Sequence, residues 1–381
     1  MKKITVSLLA VLTFALCFCM KCAYAEELKI GFAAPLTGPH AMYGKDMYNG
    51  IVLAVEDFNA SKTLIGGKPM RVVLLVEDDQ ADARLGTQIA QKMVDRQVNG
   101  MFGHFNSGVA IPASRIYQQA GLPQFSLASA PEYTRQGFKT TFRMLPSDVQ
   151  QGRVMGNYAV KTLGLKKIAL IDDRTAYGQG AADEFERAAR AAGAQIVRRE
   201  FTSDKSYDFK AILSSIKRAK PQGIFYGGMA AQAAPLVKQM RELGIDATLL
   251  GTEALRMDSF LKVAGRAAQG TVVVLGGKPL AQMPGGVAFN ERHKARFGAP
   301  VDVYAPASYD AAMMMFGAMK KANSTEPKAY LPYLFTTQSA GITSKEIGYD
   351  QYGDLRDATV TLYKVAEGDW QVLDIVSPMQ E

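Results

Sequence analysis

Cysteine is almost missing from this chain: Cys17, Cys19 and Cys22 are the three in 381 residues, all near the amino terminus. A disulfide framework of the small secreted type is therefore excluded. Beyond residue 25 there is no thiolate for a structural zinc site or for nucleophilic catalysis. Histidine is equally scarce. His40, His104 and His293 have no His or Cys neighbours at metal-ligand spacing, so no metal is expected. No stretch reads Gly-x-x-x-x-Gly-Lys-Ser/Thr, and no Gly-x-Ser-x-Gly elbow follows an apolar run. Gly178-Gln179-Gly180 lacks the third glycine of a dinucleotide turn and carries Asp183 there, and Gly100-Met101-Phe102-Gly103 is similarly incomplete. No cofactor is expected. Lysines and arginines are scattered, so the clustered basic face with stacking aromatics that nucleic acid needs is absent, and no nucleic-acid partner is expected. With 48% hydrophobic and 21% charged residues, the chain is neither disordered, collagenous nor a multi-span membrane protein.

The amino terminus carries the one long apolar run. Lys2 and Lys3 precede the stretch 4–20, and Ala23-Tyr24-Ala25 places small residues two apart before Glu26-Glu27. That order is a secretory signal peptide cleaved after Ala25. A retained anchor is the weaker alternative, and lipid attachment is disfavoured because Leu16, Phe18 and Lys21, none of them small, precede the cysteines. Cleavage would discard every cysteine together with Lys2, Lys3 and Lys21, lowering the net charge from +8 to +5. The charge then reads as a solvated surface.

The remainder alternates short apolar runs with amphipathic stretches. Strands are expected at 28–33, 70–76, 101–102, 124–125, 167–171, 195–201, 223–226, 248–250 and 271–275. Between them Met47, Ile51, Val55 and Phe58 fall on one helix face, as do Leu85, Ile89, Met93 and Val94, and Phe209, Ile212, Leu213 and Ile216. A further helix is expected over about 107–120. Continuous apolar strands between amphipathic helices predict parallel sheets covered on both sides, and their number fits two doubly wound sheets better than one. An internal echo supports two lobes: Lys29-Ile30-Gly31-Phe32 leads to Tyr43-Gly44, and Lys167-Ile168-Ala169-Leu170 leads to Tyr177-Gly178. Each tyrosine follows the carboxyl end of a strand, the edge where open α/β sheets bind ligands. The acidic runs Glu77-Asp78-Asp79 and Asp172-Asp173 read as loop solvation and helix capping rather than metal ligands. An exported two-lobed α/β chain without catalytic machinery points to binding and release rather than catalysis.

Residues 28–39 (Leu-Lys-Ile-Gly-Phe-Ala-Ala-Pro-Leu-Thr-Gly-Pro) followed by Met42-Tyr43-Gly44-Lys45-Asp46 resemble the periplasmic leucine/isoleucine/valine-binding proteins of ABC importers. So do Gly103-His104-Phe105-Asn106-Ser107, Pro112-Ala113-Ser114, Ser129-Ala130-Pro131, Phe225-Tyr226-Gly227-Gly228 and Gly251-Thr252-Glu253, in order over 27–376. The resemblance implies a type I periplasmic-binding fold: two Rossmann-like lobes joined by three crossovers, near 145–147, 275–278 and 348–354. The expected division is a signal peptide at 1–25, a first lobe of 26–146 plus about 277–350, and a second of 147–276 plus about 351–381. It also implies a periplasmic location, a small amino-acid ligand, a membrane permease as partner, and a monomer.

Carried over residue by residue, the resemblance makes Ser107 the carboxylate-binding serine, Ser129 the second hydroxyl and Leu127 the backbone contact between them. A serine and free N–H groups at a helix start suit a carboxylate, although Ser107 as a plain N-cap is the simpler alternative. Glu253 matches the ammonium-binding acid, and Tyr43 and Tyr177 match the two cleft tyrosines. Met229 stands where an aromatic is common, and methionine adapts to varied shapes. Tyr309 is a pocket candidate by position alone. The family's first-lobe disulfide positions are Ala81 and Asn106 here, so both partners are absent together. The expected ligand is a neutral, branched-chain or other aliphatic amino acid. The alternatives are an amide, urea or aromatic acid on the same fold, or a ligand-sensing domain, which an ending at Glu381 without span or output domain disfavours.

Overall fold

The computed structural model describes residues 25–356 and 358–377. The leader segment, except for Ala25, and its three cysteines lie outside the described residues. Two sheets organise the chain. The first is built from β1 (Glu26–Ala34), β2 (Leu64–Ile65), β3 (Lys68–Asp78), β4 (Gly100–Gly103), β5 (Gln124–Ser126) and β6 (Thr141–Arg143), in the order β2-β3-β1-β4-β5-β6. The second contains β7 (Lys167–Asp172), β8 (Gln195–Phe201), β9 (Gly223–Gly227), β10 (Thr248–Gly251), β11 (Val272–Gly276), β12 (Val360–Ala366) and β13 (Asp369–Val376), in the order β13-β12-β11-β10-β9-β7-β8. Pairing is parallel from β3 to β6 and from β8 to β11, and antiparallel for β2, β12 and β13.

All nine expected strands are present. Those not anticipated are β2 and β6, which are two and three residues long, β13, which is largely exposed, and β12, a buried strand of seven residues. The β12–β13 hairpin turns through Glu367 and Gly368, both at positive φ, the backbone that a two-residue hairpin loop demands.

The expected helix faces pack as their spacing requires. Met47, Ile51, Val55 and Phe58 on the helix Ala41–Ala60 are buried beside Leu28, Ile30 and Phe32 of β1 in one core cluster. Burying each such side chain stabilises by about 1.5–3 kcal/mol. Helix Ser107–Ala120 has the anticipated bounds. Among the described residues no helix is long and apolar enough to cross a membrane.

Sheet topology places the site. In the first sheet the chain runs from β1 to β3 on one side and returns to β4 on the other; in the second it runs from β7 to β8 and returns to β9. Each reversal opens a crevice at the carboxyl ends of the central strands, where helix starts converge. Helices Ala41–Ala60 and Ser107–Ala120 begin at the first crevice, Ala176–Ala191 and Ala230–Glu242 at the second. The Tyr-Gly echo has a steric cause. A Cβ on Gly44 would strike the Pro35 carbonyl, and one on Gly178 the Gly227 carbonyl, so glycine lets each helix start sit against a strand end.

The chain passes between the sheets three times: after β6, after β11 and before β12. These segments lie side by side. Gly277 N–H donates to Thr359 O at 2.7 Å, Thr361 Oγ1 to Gly277 O at 2.7 Å, and Gln150 Nε2 to Ala358 O at 2.6 Å. The third passage starts later than the expected 348–354. Gly353 O accepts from Arg143 N–H at 2.8 Å and Asp354 pairs with Arg143, which ties that stretch to β6.

The acidic runs serve the backbone. Asp78 accepts from Leu36 N–H, Gln80 N–H and the Thr37 hydroxyl. Asp79 accepts from Ala81 N–H and lies 2.6 Å from His104. Asp173 accepts from Thr175 N–H at 3.0 Å, while Asp172 pairs with Arg199 at 3.0 Å. Among the described residues no His, Cys, Asp and Glu group is arranged to hold a metal.

Candidate functional site

A small cavity lies between the two crevices. Its walls are Phe105, Asn106, Ser107, Leu127 and Ser129 from the first sheet's loops, Tyr177, Met229, Glu253 and Ala254 from the second, and Tyr304. It adjoins a mouth through Phe105, Asn106, Tyr177 and Met229. On its other side it adjoins a second pocket at the crossing segments, through Leu127, Glu253 and Tyr304.

The first-lobe wall presents hydrogen-bonding groups. Ser107 is the first residue of its helix and fully buried; Asn106, not Ser107, holds the N-cap position. Its hydroxyl accepts from Ala130 N–H at 3.2 Å, which joins the helix start to the loop carrying Ser129. The first turn of a helix leaves backbone N–H groups without intrahelical partners, a natural anion seat. Ser129 is buried with its hydroxyl unpartnered, and Leu127 sits two residues before it at the boundary of two cavities.

This loop is braced from behind by Arg143, a fully buried arginine in β6. Its guanidinium donates to Ala130 O at 3.0 Å, Thr134 Oγ1 at 2.8 Å and Asp354 Oδ1 at 2.8 Å, and also to Ala128 O. Burial pushes the Asp354 carboxyl up, but the Arg143 charge and its hydrogen bond, with Arg135, outweigh it and hold Asp354 below the usual carboxylate range.

The second-lobe wall is dominated by Glu253, which opens a short 3-10 turn after β10 and is 4% exposed. Its Oε1 accepts from the Tyr177 hydroxyl at 3.2 Å, a hydroxyl also bonded to Thr252 Oγ1; its Oε2 has no partner. Burial above all, then the nearby charge of Asp148, pushes the Glu253 carboxyl up to about 8. Asp148 opens the helix Asp148–Asn157 after the first crossing, and its N–H donates to Ser129 O at 2.9 Å. Burial pushes it up to about 7. Met229 precedes the helix Ala230–Glu242 and faces both the cavity and its mouth.

Two expected residues stand elsewhere. Tyr43 does not line the cavity. It lies behind Phe105, stacked at 4.9 Å between ring centroids, and its hydroxyl crosses to the second lobe, donating to Ala254 O at 2.7 Å and accepting from Ala230 N–H at 3.0 Å. It therefore links the lobes in this closed form, helped by Ser259 Oγ donating to Met42 Sδ at 2.9 Å and by Arg256 Nη1 donating to Asp302 O at 3.0 Å.

Tyr309 is a correction. It sits on the helix Ala305–Ala322, edge-on to Phe289, with its hydroxyl donating to Asp57 Oδ2 at 2.7 Å. One and a half turns of helix separate Tyr309 from Tyr304 and turn it away from the cavity. Tyr304 takes that place. The Asp46 carboxylate, which accepts from the N–H groups of Val303 and Tyr304, anchors it.

Phe105, Tyr304, Asp148 and Arg143 are the site residues that sequence reasoning missed. Phe105 stood inside a quoted motif, and the proximity of Asp46 to Tyr43 was the one signal for a helix start docked there. A buried arginine behind a loop and an acid at a crossing segment have no local signature. Ala81 and Asn106 both line the mouth, so the two replaced disulfide positions share one rim.

Comparison with known proteins agrees with this architecture. Residues 27–350 match the family model described as periplasmic binding protein. The Leu/Ile/Val-binding protein homolog 1 of Brucella suis biovar 1 is 30% identical over 347 residues, covering 91% of this chain and 92% of the relative. The leucine-binding protein LivK of Thermotoga maritima superposes with a TM-score of 0.86 at 24% identity, covering 93% of this chain and 100% of that one. A solute-binding protein of an R. palustris ABC transporter, solved with benzoate, gives 0.82 at 21% identity, covering 93% and 97%. The two last share the fold. With a family model matched over most of its length and two doubly wound sheets meeting at a cleft, this chain belongs to the periplasmic binding protein family.

Proposed function

We propose that the protein captures a neutral, branched-chain or other aliphatic amino acid in the periplasm by closing its lobes on it, and delivers it as a monomer to the membrane permease of an ABC importer. One observation carries this reading: the unpartnered buried oxygen of Glu253 on one lobe faces a cavity whose other wall has the Ser107 helix start and the Ser129 hydroxyl. A zwitterion matches both walls, carboxylate to the helix start and ammonium to Glu253. It gains full contact only when the lobes are shut, so it shifts the open–closed equilibrium by its differential affinity. The name of the Brucella relative supports the branched-chain class. Phe105, Leu127, Met229 and Tyr304 supply the apolar surround an aliphatic side chain needs.

An aromatic acid is the second reading, favoured by the Phe105, Tyr177 and Tyr304 rings around the cavity and by the benzoate complex of the R. palustris protein. A thermal-shift screen over amino acids, amides and aromatic acids separates the two. A ligand at about a thousand times its Kd adds roughly 4 kcal/mol of stability. If no α-amino acid raises the melting temperature, the amino-acid reading fails.

A further inference from the structure

A ligand seated between Ser107 and Glu253 can extend in two directions, because the small cavity adjoins the mouth on one side and the pocket at the crossing segments on the other. The two spaces differ in chemistry. The mouth is lined by His40, Asn106, Asp173 and Asp204 among others. His40 Nδ1, Asn106 Oδ1 and Asp173 Oδ2 are buried there without a partner. An apolar chain laid across them would keep water from three groups that still need partners.

The pocket at the crossing segments makes no such demand. Its apolar wall includes Met144, Leu145, Leu275, Met283, Ile347 and Leu355. Among the described residues that line it, Glu253 alone has a buried polar side-chain atom without a partner. The Thr343 hydroxyl donates to Asp310 Oδ2 at 2.6 Å and the Ser344 hydroxyl to Glu346 O at 3.0 Å, so neither is stranded by an apolar neighbour. Lys278, Glu346 and Arg356 are exposed, which puts the remaining charges at the solvent rim. Open at that rim, the pocket sets no closed end to a chain that enters it. The entrance is Leu127, Glu253 and Tyr304. Leu127 and Glu253 are binding groups in the amino-acid reading, so a ligand they hold already lies at the edge of the apolar pocket.

We propose that the pocket at the crossing segments is a side-chain subsite, and that it takes unbranched apolar side chains longer than that of leucine. This rests on the amino-acid reading and extends its ligand class to long-chain aliphatic α-amino acids. Each methylene that enters strengthens binding about fourfold, the equivalent of about 0.8 kcal/mol per buried CH₂. Leu145, Leu275 and Ala358 come from three different crossing segments, so the chain is held where the lobes join.

The test is calorimetry with L-alanine, L-norvaline, L-norleucine and L-α-aminooctanoic acid on the wild-type protein, Ala307→Phe and Thr359→Phe. Both positions line the pocket and neither lines the small cavity, so the substitutions fill the one and leave the other open. Circular dichroism checks the fold of each variant, and the wild-type series depends on neither. Wild-type affinity is expected to rise about fourfold per methylene up to the eight-carbon acid. Each filled variant is expected to bind that acid about tenfold or more weakly than wild type, the loss of two or more buried methylenes, with L-alanine affinity unchanged. A wild-type affinity that falls beyond norvaline, or filled variants that keep the wild-type rise, overturns the proposal. If no amino acid of the series binds the wild type, the amino-acid reading has failed instead, and benzoate, phenylacetate and phenylbutyrate are titrated in its place. A rise with chain length that the filled variants abolish then sustains the subsite; the lack of such a rise overturns it.

Discussion

Tyr43→Phe isolates the energy of lobe closure from that of ligand contact. The hydroxyl does not line the cavity, yet it joins the lobes through Ala254 O at 2.7 Å and Ala230 N–H at 3.0 Å, both of them across the cleft. Phenylalanine keeps the ring stack on Phe105 and removes these two bonds. In the closed form this leaves a buried carbonyl and a buried N–H unpaired, at about 1–3 kcal/mol each; in an open form water satisfies both. Closure should therefore lose about 2–6 kcal/mol. At 1.4 kcal/mol per decade that is a ~30- to ~20,000-fold fall in the closed-to-open ratio. Calorimetry should show ligand affinity weakened by a factor in that range wherever closure limits binding. Small-angle scattering should show a larger radius for the ligand-free variant, with thermal stability of the separate lobes little changed. An affinity within twofold of wild type together with an unchanged radius would refute the latch.

Three further outcomes follow from the site. Glu253→Ala should lose about 3–5 kcal/mol of amino-acid binding, the scale for leaving a buried charge unpaired, while sparing an aromatic acid, which has no ammonium; unchanged leucine affinity by calorimetry contradicts the assignment. Arg143→Met should destabilise folding by about 3–5 kcal/mol in denaturant unfolding, because Ala128 O, Ala130 O and Thr134 lose their buried donor and Asp354 keeps only Arg135. The same substitution should weaken ligand binding through the loosened Ser129 loop. In the ligand-free protein, Glu253 at about 8 and Asp148 at about 7 are raised above their unfolded values, so the folded state binds more protons than the unfolded one. Their contribution to stability is full below about pH 4 and declines as pH rises towards 8. The melting temperature of Glu253→Gln relative to wild type should therefore rise with pH across that range, and a pH-independent difference speaks against the buried acid.

The site was legible in uneven parts, for physical reasons. Ser107, Leu127, Ser129, Tyr177, Met229 and Glu253 converge on one cavity, and each follows the carboxyl end of a strand whose apolar run could be read directly. Tyr43 and Tyr309 were chosen on the same positional logic, but side-chain direction decided otherwise. Tyr43 points between the lobes to backbone groups nearly two hundred residues away in sequence or further. Tyr309 turns towards Asp57. The β6 strand was missed because its three residues end in an arginine that reads as surface, and the interior accepts Arg143 because three acceptors of the preceding loop and the distant Asp354 converge on it.

By itself the sequence determined the repeating strand–helix order, the two lobes and the glycines that let helix starts meet strand ends, because those depend on local periodicity and on the size of one residue. It also determined the poverty of catalytic groups, because a residue type that is absent cannot be supplied by folding. Only the tertiary structure decided that Arg143 braces the Ser129 loop, that Tyr304 and not Tyr309 walls the cavity, and that Tyr43 joins the lobes. Those facts depend on where three crossing segments bring two separate sheets together, and on the burial that this meeting imposes on charges far apart in the chain.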